Sequence, residues 1–471
     1  MEFIYKAVSF VYNIFWGDLF KIPLPGGSSV GISLLILLLI PTGIYFTVRT
    51  KFLPIRMFPE MIRISIEKNS GSKDKKSALS GWQTLIISTA TRVGMGNLAG
   101  VVAAISVGGA GAVFWMWVTA IIGSSTAFIE ATLAQLHKER DPLYGGYRGG
   151  PAYYIHSFFK GKKSKSVIAI LFAISGLICW GGVSQVVSNS VTSSFENAFN
   201  IPPWITTVIL VVIAAIIVLR KNATVKVLDI IVPVMAVFYF AITLFIIFKN
   251  ITVIPDVFKR IFSEAFGIRQ VVGGGIGAAL LHGVKRGLFS NEAGSGSAPC
   301  AAAAADVSHP AKSGLFQALG VIIDTIVICT CTAMIMLTVP TNITEGLEGM
   351  DLLQTAMNYH FGTPGVIFIA IVLLLFSLST FIGIIFYARS NVAYLFGDNW
   401  IAQTAYKVFA LIMLFTGGIA AYTFVWDIGD IGIALMTVFN IIAIIPMGGQ
   451  ALSSLKEYTL IMKEEKKERT P

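Results

Sequence analysis

Runs of Leu, Ile, Val and Phe separated by short polar stretches recur along nearly the whole chain. A helix needs about 20 mostly apolar residues to cross the hydrocarbon of a bilayer. By that measure the sequence predicts eleven spanning helices, near 28–48, 82–106, 111–135, 167–193, 203–220, 228–248, 271–304, 312–338, 365–388, 404–425 and 430–450. The shortest is 203–220. The opening stretch, MEFIYKAVSFVYNIFW, lacks the basic start and small-residue cleavage site of a signal peptide. It reads as an amphipathic helix lying on the membrane surface. The expected organisation is an amphipathic segment over 1–27, a transmembrane domain over 28–450, and a basic tail over 451–471.

Composition sharpens this picture. Of 471 residues 55% are hydrophobic and 13% charged, with mean hydropathy +0.76, whereas soluble domains carry about 25% charged residues. The net charge of +10 could suggest a nucleic-acid partner, but its placement argues against one. Lys and Arg enrich cytoplasmic loops. With the N-terminus outside and the C-terminus inside, 26 of the 35 Lys and Arg fall on the inner side. The outward loop 339–364 holds Glu345, Glu348 and Asp351 and no Lys or Arg. The positive charge is therefore mostly topology. The expected partners are a small-molecule substrate and the lipid bilayer, with no nucleic acid and no obligatory protein partner.

Two spans are interrupted. The second contains Ser88-Thr89-Ala90-Thr91-Arg92-Val93-Gly94-Met95-Gly96-Asn97, and the seventh runs from Gly273-Gly274-Gly275 through Phe289-Ser290-Asn291 to Gly294-Ser295-Gly296. Gly weakens a helix, and Asn and Ser compete for its backbone bonds. Irregular backbone survives in a bilayer only where protein or a water-filled cavity satisfies it. Such breaks present helix N-termini to a carboxylate and loose carbonyls to a cation. They lie five spans apart, so spans 2–6 and 7–11 (about 82–248 and 271–450) read as two repeats of opposite orientation. That arrangement points to an alternating-access transporter with its site at the repeat interface.

Charged residues inside spans need a partner or water. Arg92, Glu130, Arg286, Glu292 and Asp324 are such residues. Glu292 or Asp324 is either a coupling group or the partner of Arg92 or Arg286; Lys285 is expected to snorkel. Of the five histidines only His282 lies deep in a span. Cys179, Cys300, Cys329 and Cys331 lie in or beside apolar runs without metal-ligand spacing, and read as packing residues. No cluster has nucleophile–base spacing, so no enzyme is expected.

The stretches TRVGMGNLAGVVAAISVGGAGAVFWMW, GGPAYYI and GVKRGLFSNEAGSGSAPCAAAAADVSHP resemble the signature regions of the alanine/glycine:cation symporter family, over about residues 30–455. The resemblance implies an all-α polytopic fold of the leucine-transporter type, a five-plus-five inverted repeat with one extra N-terminal span. It also implies Na⁺-coupled symport of alanine or glycine across the cytoplasmic membrane of a prokaryote. Val93-Gly94-Met95-Gly96-Asn97 also looks like the broken first helix of sodium-coupled neurotransmitter symporters.

On that resemblance the substrate carboxylate meets the N–H groups of Met95 and Gly96, with Thr91 and Gly94 beside them. Phe289, Ser290, Asn291 and Gly294 supply the opposite wall, with Thr380 and the position of Ile384. In the fourth span either Gln185 is the site residue, or Val187 occupies its place and Asn189 is retained. Na⁺ is expected among the carbonyls of Ala90 and Val93 and the hydroxyls of Ser379 and Thr380, with H⁺ as the alternative coupling ion. The sequence departs from the family pattern at Met95, at Ile384 (usually Trp) and at Arg389 (usually Glu). These departures leave open a bulkier neutral amino acid, and a non-transporting sensor that keeps the fold.

Overall fold

The structure, a computed structural model, describes residues 2–23, 29–66, 79–80, 92–159, 165–220, 224–267 and 275–468. Helix α1 (Glu2–Trp16) leads into a hairpin of β1 (Asp18–Pro23) and β2 (Ser29–Ser33), paired antiparallel. Helix α2 (Leu34–Arg49) follows, its first turn capped by Ser33, whose hydroxyl accepts from the Ile36 N–H at 3.3 Å. Amphipathic α3 (Phe58–Ile66) comes next. Strand β3 (Leu79–Ser80) pairs in parallel with β4 (Ala305–Asp306), tying the approach to the first interrupted helix to the exit from the second.

In the first interrupted span a π-helical turn, Gly96–Gly100, leads into α4 (Val101–Gly108). Gly109, at φ +68°, turns the chain directly into α5 (Gly111–Leu136). Then come α6 (Val167–Phe199), α7 (Pro203–Val218) and α8 (Thr224–Lys249). Helix α9 (Ile254–Ala265) is bent 103° away from α8 and lies against the start of α5, where Glu264 Oε2 accepts from the Ala110 N–H at 2.6 Å. An acid at a helix N-terminus meets unpaired N–H groups and the positive dipole end.

The second interrupted span is α10 (Gly275–Asn291) followed by short α11 (Ala298–Ala302). Helix α12 (Pro310–Val321) continues through a second π-helical turn, Ile322–Cys329, into α13 (Thr330–Leu337). The remainder is α14 (Gly349–Phe361), α15 (Thr363–Phe396), α16 (Trp400–Ile419) and α17 (Tyr422–Glu468).

Each of the eleven predicted stretches holds a helix. Among the described residues six helices are long and apolar enough to cross a membrane, seven if the bent α8–α9 pair is one span. The apolar helices Leu34–Arg49, Gly96–Gly108 and Pro203–Val218 are shorter. Central α6 packs against α15, α16 and α17, and α5 packs against α10 and α12. The outer surface is apolar too: Trp204, Val208, Ile209, Val212 and Ile216 are exposed along α7. Contiguous apolar surface of this kind is scarce on soluble monomers and suits lipid contact. This is a multi-pass membrane protein.

Two features at the ends of the chain add to the sequence reading. At the end of helix α1, Trp16 is buried and its Nε1 donates to the Asp430 carbonyl at 3.1 Å. Helix α17 runs 18 residues past the predicted limit of 450. Its last turns are held by Tyr458, which donates to Glu60 Oε1 at 2.6 Å.

Candidate functional site

At the first break, the Gly94 N–H donates to the Arg92 carbonyl and to Asn97 Oδ1, both at 2.8 Å. Asn97 thus serves the backbone donors that the missing helical turn leaves free. The Met95 N–H donates to Thr380 Oγ1 on α15 at 3.1 Å. Ser379 Oγ donates to the Phe376 carbonyl of its own helix at 2.8 Å. Ala90 and Thr91 lie outside the described residues.

At the second break α10 stops at Asn291. Glu292, Gly294 and Gly296 adopt positive φ (+58°, +90° and +82°). The Ala293 N–H donates to Asn291 Oδ1 at 3.0 Å. Glu130 on α5 accepts from the Gly294 N–H at 3.1 Å and from Asn440 Nδ2 at 2.7 Å, while Asn440 Nδ2 also donates to the Gly294 carbonyl at 2.9 Å. Tyr154 OH donates to Asn440 Oδ1, and Tyr387 OH donates to Glu292 Oε2 at 3.2 Å. Irregular backbone in the middle of the bundle is satisfied here by side chains from α5 and α17, while Tyr387 of α15 holds the Glu292 carboxylate.

The two breaks touch. A Cβ placed on Gly96 would come 3.3 Å from Ser290 Cα and 3.5 Å from the Phe289 ring. Asp324, on the π-turn after α12, accepts from Asn97 Nδ2 at 2.7 Å, Ser290 Oγ at 2.8 Å and Thr325 Oγ1 at 2.7 Å. Asn97, Ser290, Asp324 and Thr325 are all buried.

The structure therefore brings Gly94, Met95, Gly96, Phe289, Ser290, Asn291 and Thr380 to one junction. Val93 is buried in the first break, and Ile384 one turn beyond Thr380. Gln185 and Asn189 face α16 instead. Gln185 Nε2 donates to Thr416 Oγ1 at 3.1 Å, and Asn189 Nδ2 to the Ala420 carbonyl at 2.9 Å. Gly294 sits at the Glu130–Asn440 cluster.

The expected partner of Arg286 is replaced. The acid facing Arg286 is Asp430 rather than Glu292 or Asp324. Lys285 does not snorkel: it is buried, 3.0 Å from Asp430 Oδ2 and 2.7 Å from Tyr12 OH. Arg92 is fully buried, and its Nη1 donates to the Gln317 carbonyl at 3.2 Å. Sequence reasoning missed Asp430, Asn440, Tyr387 and Trp426, whose ring lies 4.9 Å from that of Phe289. Asp430 had a signal, an acid inside an apolar run. Asn440 and Tyr387 carried none without their tertiary partners.

The family model described as the sodium:alanine symporter family matches residues 27–471. The chain belongs to the sodium:alanine symporter family. It is a transporter and not an enzyme, and Na⁺ is its co-transported ion. Among curated relatives, a probable sodium/glutamine symporter, GlnT, from Bacillus subtilis is 43% identical, covering 90% of this chain and 88% of that protein. The sodium/alanine symporter AgcS from Methanococcus maripaludis is 35% identical, covering 92% and 96%.

Among solved structures, that of MhsT in complex with L-phenylalanine matches with a TM-score of 0.57 at 13% identity, covering 80% of this chain and 89% of that one. A manganese transporter from Eremococcus coleocola matches with a TM-score of 0.55 at 13% identity, covering 82% and 81%. At that identity the likeness establishes the fold, which is leucine-transporter-like.

Proposed function

We propose that this symporter carries a small neutral amino acid, alanine or glycine in the first place, together with Na⁺. The observation that carries this reading is the close approach of Gly96 to Ser290 and Phe289, because a site opening between two breaks in direct contact is walled by both and suits a small ligand. The carboxylate binds at the N-terminal end of the Gly96–Gly100 turn, where N–H groups and the helix dipole favour an anion. Phe289, Ser290 and Asn291 face the amino end. The carbonyls of Ala90 and Val93 and the hydroxyls of Ser379 and Thr380 hold Na⁺, a hard cation suited to oxygen ligands. Transport runs by alternating access of the core repeats, 82–248 and 271–450, in the cytoplasmic membrane, with the N-terminus outside and the C-terminus inside.

A glutamine-sized substrate is the second reading. Gln185 Oε1 is buried and without a hydrogen-bond partner, and Trp426 Nε1 is buried with Tyr422 beside it. Val186, beside Gln185, lies against Gly429, one turn from Trp426. A side-chain carboxamide offers the donor that Gln185 Oε1 lacks and an acceptor for the indole. GlnT, a probable sodium/glutamine symporter, points the same way.

Uptake of labelled alanine into proteoliposomes, competed by unlabelled glycine, alanine, serine, glutamine and phenylalanine, tests the reading. Alanine and glycine should compete best. Glutamine as the strongest competitor would establish the second reading, and binding without any uptake would put the sensor first.

A further inference from the structure

Asp324 has no role in the substrate and ion sites described so far, yet its carboxylate stands between the two breaks. We infer that Asp324 is a positioning residue that couples the two interrupted helices, so that Na⁺ binding at one strengthens amino-acid binding between both. This rests on the symport reading above.

The two carboxylate oxygens collect three donors from three segments. Oδ1 accepts from Asn97 Nδ2 of the first break at 2.7 Å. Oδ2 accepts from Ser290 Oγ of the second break at 2.8 Å and from Thr325 Oγ1 of its own turn at 2.7 Å. Asn97 Nδ2 also reaches the Asp324 main-chain carbonyl at 3.2 Å, and Asn291 Nδ2 donates to Thr325 Oγ1 at 3.3 Å. A single acid thus holds Asn97 of the first break and Ser290 of the second directly, and Asn291 through Thr325.

The same network reaches the candidate ion site. Thr380 Oγ1 accepts from the Met95 N–H, and the neighbouring Gly94 N–H donates to Asn97 Oδ1. A shift of Thr380 toward a bound ion therefore moves Met95 and Gly94, then Asn97, then Asp324 and Ser290. Asp324, Asn97 and Thr325 are fully buried, so these bonds are shielded from bulk solvent. Hydrogen bonds to a carboxylate are shorter and about twice as strong as neutral ones. The local backbone is unusual as well, because the π-helical turn Ile322–Cys329 interrupts an otherwise regular helix. Such turns concentrate at functional sites. A carboxylate accepts only, which fits three inward-pointing donors; an amide in its place would turn one acceptor into a donor.

The test measures binding of labelled L-alanine and L-glutamine to the full-length protein in detergent at low and at saturating Na⁺, with thermal unfolding alongside. The ratio of the two affinities is the coupling factor. In Asp324→Asn that factor should fall about tenfold, equivalent to about 1.4 kcal/mol, while low-Na⁺ affinity and the unfolding midpoint change little. Thr325→Val, which removes one donor with little change of shape, should lower the factor about threefold and serves if Asp324→Asn fails to fold.

A coupling factor unchanged in the folded variants overturns the proposal. So does a parallel loss of stability and of binding at both Na⁺ levels, which is what a purely structural residue would give. A wild-type protein whose binding ignores Na⁺ overturns the symport reading, and this proposal with it. Wild-type coupling with unaltered variants overturns this proposal alone.

Discussion

Arg286 and Asp430 form a two-pronged buried ion pair, Nη1 to Oδ1 at 2.9 Å and Nη2 to Oδ2 at 3.0 Å, joining α10 to α17. Lys285 meets the same carboxylate, so two cations share one acid. Removing one partner of a buried pair costs about 3–5 kcal/mol, because the remaining charge is left without compensation. Asp430→Asn should therefore lower the thermal midpoint in detergent sharply. Lys285→Met, which keeps the bidentate pair, should lower it much less. Equal midpoints for the two variants would show that the shared acid is not what holds these helices.

Thr380 accepts from the Met95 N–H and is a proposed Na⁺ ligand. Thr380→Ala should weaken Na⁺ activation of uptake at least tenfold and substrate affinity less, while Thr380→Ser should restore most of it. Kinetics over a Na⁺ series read both. An unchanged Na⁺ dependence would move the cation site elsewhere.

Helices α6 and α17 cross with almost no space between them. A Cβ built on Gly432 would overlap Cys179 Cα, whereas one built on Gly449 meets nothing within 4 Å. Gly432→Ala should destabilise the protein by roughly 1–3 kcal/mol, the usual cost of overpacking. Gly449→Ala should be neutral or slightly stabilising, since Ala is the better helix former. Monodispersity and unfolding midpoints of the two variants decide the matter.

Lys138 lies outside the spanning helices. Its Nζ donates to Gln135 Oε1 and to the Ala305 carbonyl, both at 2.8 Å, and sits 4.0 Å from the Tyr147 ring centre. Burial lowers its pKa to about 8, against an opposing pull from Asp306. The folded state thus disfavours the ammonium. That penalty is present at pH below the folded value and is relieved as pH rises from there toward the unfolded value. Competitive labelling of Lys138 with an amine reagent should show a midpoint near pH 8 in the folded protein and near the ordinary lysine value after unfolding. A midpoint unchanged by unfolding would mean the amine is solvated.

The spans were legible because lipid contact writes itself into composition: the stretch expected at 365–388 is the heart of α15. Both breaks were legible as well, since Gly94, Gly96, Gly294 and Gly296 weaken the helix where Asn97 and Asn291 stand ready to serve freed backbone. The continuation of α17 past 450 was not, because hydropathy records where a helix leaves the apolar zone and not where it ends. Nor was the partner of each polar group. Asp324 finds Asn97, 227 residues away, only through the packing of π-turn against π-turn. Arg286 finds Asp430 across 144 residues in the same way.

The central claim is that Na⁺ drives the amino acid through this chain. An inward-negative potential of about 100 mV contributes about 2.3 kcal/mol per charge carried, enough to concentrate substrate roughly fifty-fold. The measurement is accumulation of labelled alanine or glutamine in proteoliposomes holding an inward Na⁺ gradient, with labelled Na⁺ followed in parallel. Accumulation above the outside concentration, matched by Na⁺ entry and abolished when the gradient is collapsed, is the predicted result. Uptake that merely equilibrates and ignores Na⁺ would contradict it.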